Sequence, residues 1–184
     1  MKPYITIIWL NYNSNKIIDV ARESLLAIKN FDYPNYEFIL VDNGSTDNSF
    51  KQIIEYLDHI KLKAKILRSK RNLGFTGGNN LAYRHRNPYA KYVALINSDL
   101  IPNQDSLSEL VDIMDSDEKI GAIQGTIFNY NMTKIDSSGD YLDEALRPYL
   151  DIDGCSIKEK YITYADGSYC VIRVNAVRHI QGEY

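Results

Sequence analysis

Cysteine is scarce in this 184-residue chain: Cys155 and Cys170 are the only two, and they do not have Cys-x-x-Cys spacing. Two isolated thiols provide no disulfide framework, and we expect both to be small, buried, apolar side chains in a reducing compartment. The length is enough for one domain with its own hydrophobic core. We therefore expect packing alone to hold residues 1–184 together as a single domain.

Long apolar runs and an excess of basic charge are also missing. Apolar stretches such as Ile5–Leu10 are too short to cross a bilayer, and the amino terminus has no basic segment that leads into an apolar one. The formal net charge is −3, so a protein-wide basic field that would hold nucleic acid is absent. We expect no transmembrane segment, no nucleic-acid partner, and a cytoplasmic location, either free or peripheral at the inner membrane face.

Strand and helix patterns alternate through the first hundred residues. β-branched apolar runs predict four strands, at 4–10, 36–41, 64–68 and 92–96. Apolar residues at helical spacing predict helices over 17–28, with Ser14 or Asn15 as the cap, over 49–57 and over 79–85. This alternation predicts right-handed βαβ crossovers and a mainly parallel sheet.

The pattern changes after Pro102. A helix is expected over 106–114, and strand-like segments follow at 122–130 and 161–174 without regular helices between them. The polar segment 131–160, which contains Gly139 and Gly154, is typical of a loop or hairpin over one face of the sheet. We therefore expect a mixed second half with antiparallel strands.

Polar clusters follow all four expected strands of the first half. They are Asn11-Tyr12-Asn13, Asp42-Asn43-Gly44-Ser45, Asn72–Asn80 and Asn97-Ser98-Asp99. Ligands bind at the carboxyl ends of the strands in an open parallel sheet, so we expect the four clusters to meet at one edge. Each cluster alone also suits a turn or a helix cap, and Asp47 is expected to accept hydrogen bonds from helix amides.

Asp99 is the sharpest single candidate, because a carboxylate that ends a buried apolar strand is poorly explained as a surface charge. Mg²⁺ or Mn²⁺ is held by one or two carboxylates together with substrate phosphates, so one protein ligand can suffice. The alternative is that Asp99 caps the following turn. His59, His85 and His179 lack metal-ligand spacing.

The segment Gly74–Asn80 contains three glycines and is expected to open a helix, so its amides are available to phosphate or ribose oxygens. It matches neither the dinucleotide fingerprint nor a Walker loop. The preceding basic residues Arg68, Lys70 and Arg71 are either a solvated loop or an attraction for a diphosphate. The residues therefore indicate a phosphate-binding edge without fixing the ligand.

The order of these motifs resembles the family 2 glycosyltransferases, in the rhamnosyltransferase-like branch. The matching segments are Tyr12-Asn13, Val41–Asp47, Asn72–Asn80 and Asn97-Ser98-Asp99. The resemblance covers residues 4–101 closely, and more loosely Asp166-Gly167-Ser168 with Val171-Ile172-Arg173. It implies a GT-A type α/β sandwich, with a nucleotide-binding half at 1–101 and an incomplete acceptor-side half at 102–184.

The resemblance also implies the site residues. Asp42 would bind the base, Asn97 would lie near the ribose or sugar, and Asp99 would bind the divalent cation, Mg²⁺ or Mn²⁺. The complete set of expected nucleotide-sugar contacts is Asn11, Tyr12, Asn13, Asp42, Asn43, Ser45, Asn72, Gly74, Gly77, Gly78, Asn79, Asn97 and Ser98. Asn97 stands where an aspartate is commoner in the family, so two-carboxylate metal binding is not expected.

The general base is the missing part of the expected site. Relatives continue past a segment like Gly182-Glu183-Tyr184 to an acidic Glu-Asp motif, so we expect the base beyond Tyr184. Of the acids present at positions 140, 143, 153 and 166, only Asp166 is a weak candidate.

The resemblance implies inverting transfer of a hexosyl or deoxyhexosyl group from a nucleotide-diphosphate sugar to a glycan or lipid-linked acceptor, in cell-surface polysaccharide biosynthesis. A non-catalytic nucleotide- or glycan-binding module is the main alternative. A nucleotidyltransferase is a third hypothesis, but it is disfavoured because a glycine-rich basic loop does not follow the first strand.

Overall fold

The computed structural model describes residues 2–142, 145, 147–150 and 161–181. The first half alternates strands and helices as expected. After a 3₁₀ turn at Ser14–Ile17, its elements in chain order are β1 Ile5–Asn11, α1 Ile18–Lys29, β2 Tyr36–Asp42, α2 Ser49–Ile60, β3 Lys65–Arg68, α3 Gly74–Arg84, β4 Tyr92–Asn97 and α4 Ser106–Ser116. The helix expected over 79–85 begins five residues earlier, so the glycine segment is the first part of α3 and not a loop.

The second half is mixed. Its elements are β5 Ala122–Gln124, β6 Ile127–Phe128, β7 Ile135–Ser137, β8 Asp140–Leu142, β9 Pro148–Leu150, β10 Tyr169–Arg173 and α5 Val174–Gln181. The strand expected over 122–130 is therefore two short strands, and the one expected over 161–174 forms only at its end. Hairpins β6–β7 and β8–β9 occupy part of 131–160, while Gly154 and Cys155 lie outside the described residues.

The main sheet has the strand order β3-β2-β1-β4-β10-β5. Strands β1 to β4 are parallel to one another, and β10 runs antiparallel between β4 and β5. The expected mainly parallel α/β sheet with antiparallel strands in the second half is therefore confirmed.

Apolar side chains cover both faces of the sheet because successive residues of a strand point to opposite sides. The larger core cluster includes Ile7 and Trp9 of β1 and joins the sheet to α1, α2 and α4, whereas Ile8 belongs to a smaller cluster with Ala82 of α3 and Val174 of α5. Trp9 is fully buried, and its indole N–H donates to the Ser24 hydroxyl at 3.1 Å. The helices therefore form two layers with the sheet between them.

Arg173, at the end of β10, is a structural residue. Its guanidinium donates to the carbonyl oxygens of Met114, Asp117 and Ile120, at and beyond the last turn of α4. It also donates to the Tyr92 hydroxyl at 3.2 Å. Carbonyls at a helix end lack partners within the helix, and a cation stabilises them. Arg173 therefore fastens α4 to the sheet.

Cys170 lies in β10 and is 2% exposed, as expected for an apolar thiol. Burial raises the pKa of this thiol to about 12.

Within the described ranges, every helix is too short or too polar to cross a membrane.

Candidate functional site

The carboxyl ends of β1, β2 and β4 lie at one edge of the sheet, which we call the C-terminal rim together with the loops that follow these strands. In the parallel register, Asn11 is opposite Asp42 and Leu10 is opposite Asn97. The loop before β10 reaches the same rim, since Asn97 N–H donates to the Ser168 carbonyl at 2.9 Å. The structure thus brings together the loops that the sequence singled out.

Asn11 and Asp42 are fully buried beneath the rim. The Asn11 side-chain amide nitrogen is 2.9 Å from Asp42 Oδ1, 3.0 Å from Ser45 Oγ and 3.3 Å from Ser49 Oγ. Arg68 Nε donates to the other Asp42 oxygen at 3.0 Å, and this guanidinium lies over the Phe50 ring. Both Asp42 oxygens are therefore used inside the chain, and its contact to a base stays a prediction.

Asn13, Ser45 and Asp47 connect the first two loops. Asn13 has a left-handed backbone with φ 48°, its amide N–H donates to Ser45 Oγ at 3.0 Å, and its Oδ1 accepts from the Thr46 N–H at 2.8 Å. Asp47 accepts from the amides of Asn15 at 2.9 Å and Ser49 at 3.0 Å. These polar side chains hold the loops against each other.

Capping of the first helix differs from the expectation. Neither Ser14 nor Asn15 caps it with a side chain, because Asp47 reaches across from the second loop to the Asn15 amide. The expectation that Asp47 accepts from helix amides is confirmed at Ser49. Burial opposes ionisation of Asp47, but the hydrogen bonds from Ser49 and Asn15 outweigh it and lower the pKa of the carboxyl.

Asn43 clamps the third loop to the second. Its side-chain nitrogen lies 3.0 Å from Asn72 Oδ1 and 3.1 Å from the Gly74 carbonyl, and its Oδ1 accepts from the Leu73 N–H at 3.0 Å. Asn72 Oδ1 also accepts from the Gly74 N–H at 2.8 Å. With Asn43 only 2% exposed, this clamp fixes where α3 begins.

The glycines of the segment Gly74–Asn80 allow close packing of α3 against the sheet. A Cβ on Gly78 would lie 2.5 Å from Leu10 Cδ1, so this glycine lets α3 approach β1. At Gly77 the added atom would lie 2.8 Å from Leu73 Cβ, and Asn79 donates to the Phe75 carbonyl at 3.0 Å. The first amides of a helix have no partner within the helix. The Gly74 amide already donates to Asn72, and anion binding at the start of α3 stays a prediction.

Phe75 connects two segments of the rim, and it is not among the site residues predicted from the sequence. A Cβ on Gly167 would lie 2.7 Å from Cε1 and Cζ of the Phe75 ring, so the start of α3 touches the loop before β10. In that loop, Asp166 Oδ1 accepts from both the amide and the hydroxyl of Ser168 at 2.6 Å. In the sequence, its position as an aromatic residue between two glycines of a polar segment could have marked Phe75 as a site residue.

Asp99 is exposed, two residues beyond the end of β4. Its carboxylate has no hydrogen bond or ion pair within the described part of the chain, and the adjacent turn is closed by the Leu100 N–H donating to the Asn97 carbonyl at 3.2 Å. The alternative of Asp99 as a turn cap is therefore wrong. Tyr12, in the loop after β1, is also exposed, at 46%.

Among the described residues, no group of three or more His, Cys, Asp or Glu could hold a metal ion by protein ligands alone. A free carboxylate at the C-terminal rim suits Mg²⁺ or Mn²⁺ if a bound diphosphate supplies the remaining ligands. The donor set therefore fits the expected cation only together with a nucleotide. Asp143, Asp153 and the 182–184 segment lie outside the described residues.

Solved structures share this fold. The chain matches a mannosyltransferase from Pyrobaculum calidifontis, in complex with GDP-Man and Mn²⁺, with a TM-score of 0.70 and 20% identity over 98% of this chain and 47% of that one. It matches Staphylococcus aureus TarS with a TM-score of 0.64 and 21% identity over 98% of this chain and 50% of that one. The expected GT-A type fold is confirmed.

Sequence relatives agree with the fold. An uncharacterized glycosyltransferase of Haemophilus influenzae is 29% identical over 66% of this chain and 36% of its own length. A poly-β-1,6-N-acetyl-D-glucosamine synthase of Staphylococcus aureus is 28% identical over 66% of this chain and 28% of its own length. The chain thus spans about a third of these proteins. The model of glycosyl transferase family 2 matches residues 6–180, and the chain therefore belongs to that family.

Proposed function

We propose that this chain transfers a sugar from a nucleotide-diphosphate sugar to an acceptor hydroxyl with inversion at the anomeric carbon. The observation that carries the proposal is the unpaired, exposed carboxylate of Asp99 at the rim where the polar loops converge. Family membership supports sugar transfer from nucleotide sugars, and two structural neighbours were solved with GDP-Man and UDP-GlcNAc.

Donor binding is divided between exposed and buried residues. Tyr12, Asn97 and Ser98 offer side chains at the rim, and the first turn of α3 offers amides to phosphate oxygens. Asn11, Asn43, Ser45 and Asn72 act by holding the loops in place, since their polar groups bond to one another. Pre-organised loops lower the entropic cost of binding.

Asp99 would hold the divalent cation together with the donor diphosphate. The bound cation would stabilise the negative charge that develops on the leaving diphosphate. Asp99 itself would contribute one hard oxygen ligand and a negative charge that attracts the cation to the rim. Asn97, beside it, is a neutral residue and orients the ribose or sugar by hydrogen bonding.

The acceptor side is formed by the loop before β10 and the segments after α4. Asp166 lies in that loop, and one of its oxygens is occupied by Ser168, so it is only a weak candidate for the general base. A glycan or a lipid-linked acceptor in cell-surface polysaccharide synthesis at the cytoplasmic side fits the rhamnosyltransferase-like pattern of Asn97-Ser98-Asp99. A deoxyhexosyl or hexosyl donor follows from the same pattern.

The test is donor binding by calorimetry with a panel of nucleotide-diphosphate sugars in the presence of Mn²⁺. Asp99→Asn is expected to abolish the metal-dependent part of the affinity. Asp58→Asn is the matched control, because Asp58 is an exposed carboxylate on α2, away from the rim, and should bind like the unchanged protein. Equal metal-dependent affinity in the Asp99 and Asp58 variants would refute the metal site.

A non-catalytic binding module is the second candidate, favoured by the engagement of Asp166 with Ser168. Donor binding would then occur without product. Product formation from donor and acceptor glycans, followed by mass spectrometry, separates the two. Transfer that is lost in Asp99→Asn supports the enzyme, and tight donor binding without any transfer supports the module.

A further inference from the structure

Basic residues are concentrated in one segment of a chain whose net charge is negative. Residues 59–98 contain nine of the chain's 21 Lys and Arg and none of its 24 Asp and Glu. All the acids lie in the remainder of the chain, so the basic charge is concentrated along this one segment. Such asymmetry directs the orientation in which a protein meets a charged surface.

The basic segment builds an outer edge of the fold. Among the residues that the structure describes, strand β3 pairs only with β2 and ends the main sheet. Exposed basic side chains precede β3, lie within it and follow it. We call these residues the basic edge: Lys61, Lys63, Lys65, Lys70 and Arg71.

The basic edge has little internal neutralisation. None of its side chains forms an ion pair within the described part of the chain, and Lys65 donates to the His85 carbonyl. Lys61, Lys63 and Lys65 line a groove of about 640 Å³ together with Lys29. The groove also contains the Glu37 carboxylate, and Asp58 lies beside Lys61 and Lys63 in the neighbouring groove, so two acids stand against the five basic residues of the edge. The edge therefore remains positively charged.

Exposed apolar side chains accompany this charge. Ile66 on β3 is 46% exposed, and Leu73 and Phe75 just beyond the basic edge are 37% and 46% exposed. Lysine at an edge strand also discourages pairing between sheets. That role explains lysine on β3 but gives no reason for adjacent exposed apolar residues, whereas a bilayer interface accepts both kinds of side chain.

We propose that the basic edge docks on an anionic lipid bilayer. Lysines near such a surface are attracted by its negative potential, and short apolar side chains enter the headgroup region. A nucleic acid is less suitable because its phosphate backbone offers no apolar layer to the exposed side chains of Ile66 and Leu73. The basic edge runs beside the sheet from one end of β3 to the other, so docking places the C-terminal rim at the membrane surface.

This arrangement extends the proposed function by presenting the site to an acceptor carried on a lipid. Docking itself needs neither donor nor metal, so it is measured without them. A failure to bind lipid leaves sugar transfer to soluble acceptors intact, and a failure of transfer leaves vesicle binding intact.

The experiment is co-flotation with phosphatidylcholine vesicles, with and without about 30% phosphatidylglycerol. The protein is expected to float with the anionic vesicles only, and to be released as salt is raised. Lys61→Gln/Lys63→Gln/Lys65→Gln is expected to weaken partitioning on the order of 100-fold. The matched control, Lys16→Gln/Lys119→Gln/Lys134→Gln, removes three exposed lysines elsewhere and should bind like the unchanged protein.

Unaltered melting temperatures in both triple variants exclude a folding defect. Equal partitioning of the two triple variants, or no binding of the unchanged protein to anionic vesicles, overturns the proposal and leaves the lysines as protection of an edge strand. Binding to an oligonucleotide in place of vesicles overturns it in favour of a nucleic-acid surface. Displacement from vesicles by millimolar inorganic phosphate overturns it in favour of a small-anion pocket.

Discussion

The half-exposed guanidinium of Arg68 donates through Nε to the fully buried carboxylate of Asp42 at 3.0 Å. A buried carboxylate that loses a donor is costly, whereas an exposed guanidinium that loses its partner is resolvated. Arg68→Met is therefore expected to destabilise the fold by about 2 kcal/mol, and Asp42→Asn by about 1 kcal/mol, with solvent screening of the exposed partner included. Urea unfolding measures both.

The double variant gives the control for this pair. Arg68→Met with Asp42→Asn should cost less than the two single changes together, because the stranded charge is gone. Lys51→Ala removes an exposed helix pair with Glu55 and should change stability by less than about 0.5 kcal/mol. Additive costs at Arg68 and Asp42 would contradict the coupling.

Gly44 and Gly74 both have positive φ angles, 78° and 72°, but differ in their surroundings. A Cβ on Gly44 would lie 2.4 Å from the Arg71 carbonyl carbon, while one on Gly74 would meet no described residue within 4 Å. We expect Gly44→Ala to cost about 3 kcal/mol or more and Gly74→Ala about 1 kcal/mol, the cost of the backbone alone. Thermal or urea unfolding distinguishes them.

Gly121→Ala is the control for the glycine pair. Its new Cβ would be 3.5 Å from the Ala176 Cβ, an ordinary contact, and its φ is not positive. Stability should change by less than about 0.5 kcal/mol. Similar losses at positions 44 and 74 would show that the approach of Arg71 does not determine the cost.

The sequence predicted the alternation of strands and helices because buried parallel strands are continuous apolar runs and the helices have a separate periodicity. It also predicted that polar loops meet at one rim, which follows from parallel connectivity. It did not reveal that Asn43 bonds to Leu73, since a side chain's partners depend on how the loops pack. The start of α3 was misplaced because glycines favour loops locally, and close packing of Gly78 on β1 overrides that preference.

Contact between Phe75 and Gly167 connects the donor side of the proposed site to the loop beside Asn97. Gly167→Ala places a methyl group against the ring and should displace one of the two segments. If the site is as proposed, we expect kcat for sugar transfer to fall at least about tenfold, because misplacement of reacting groups is costly. Steady-state kinetics with donor and acceptor varied separately provides the measurement.

Two further variants distinguish displacement of the site from a general loss of stability. Gly125→Ala adds a methyl group 3.5 Å from the Tyr169 ring and should leave kcat unchanged. Phe75→Leu combined with Gly167→Ala relieves the contact and should recover part of the rate. A Gly167→Ala enzyme with normal kcat would show that this contact does not position the site.

Asp47 should make stability depend on acidic pH. Hydrogen bonds from Ser49 and Asn15 outweigh burial and lower the pKa of its carboxyl in the folded protein. A carboxyl with a depressed folded pKa contributes stability that is present above its unfolded pKa, about 3.9, and is lost as pH falls through the folded value. Asp47→Ala should therefore lower the free energy of unfolding by about 1 kcal/mol at pH 7, and the difference from the unchanged protein should become smaller below about pH 4.

Urea unfolding at several pH values tests this dependence at Asp47 against a matched carboxylate. Asp58 is exposed and forms no side-chain bond within the described residues, so Asp58→Ala should differ little from the unchanged protein at any pH. Asp115, whose pKa is lowered because hydrogen bonds from Lys91 and Tyr92 outweigh burial, should behave like Asp47 when changed to Ala. An equal loss of unfolding free energy for Asp47→Ala at pH 7 and at pH 3 would contradict this prediction. The uncharged carboxyl would then accept the Asn15 and Ser49 hydrogen bonds as well as the carboxylate does, and the charge of Asp47 would contribute nothing to joining the two loops.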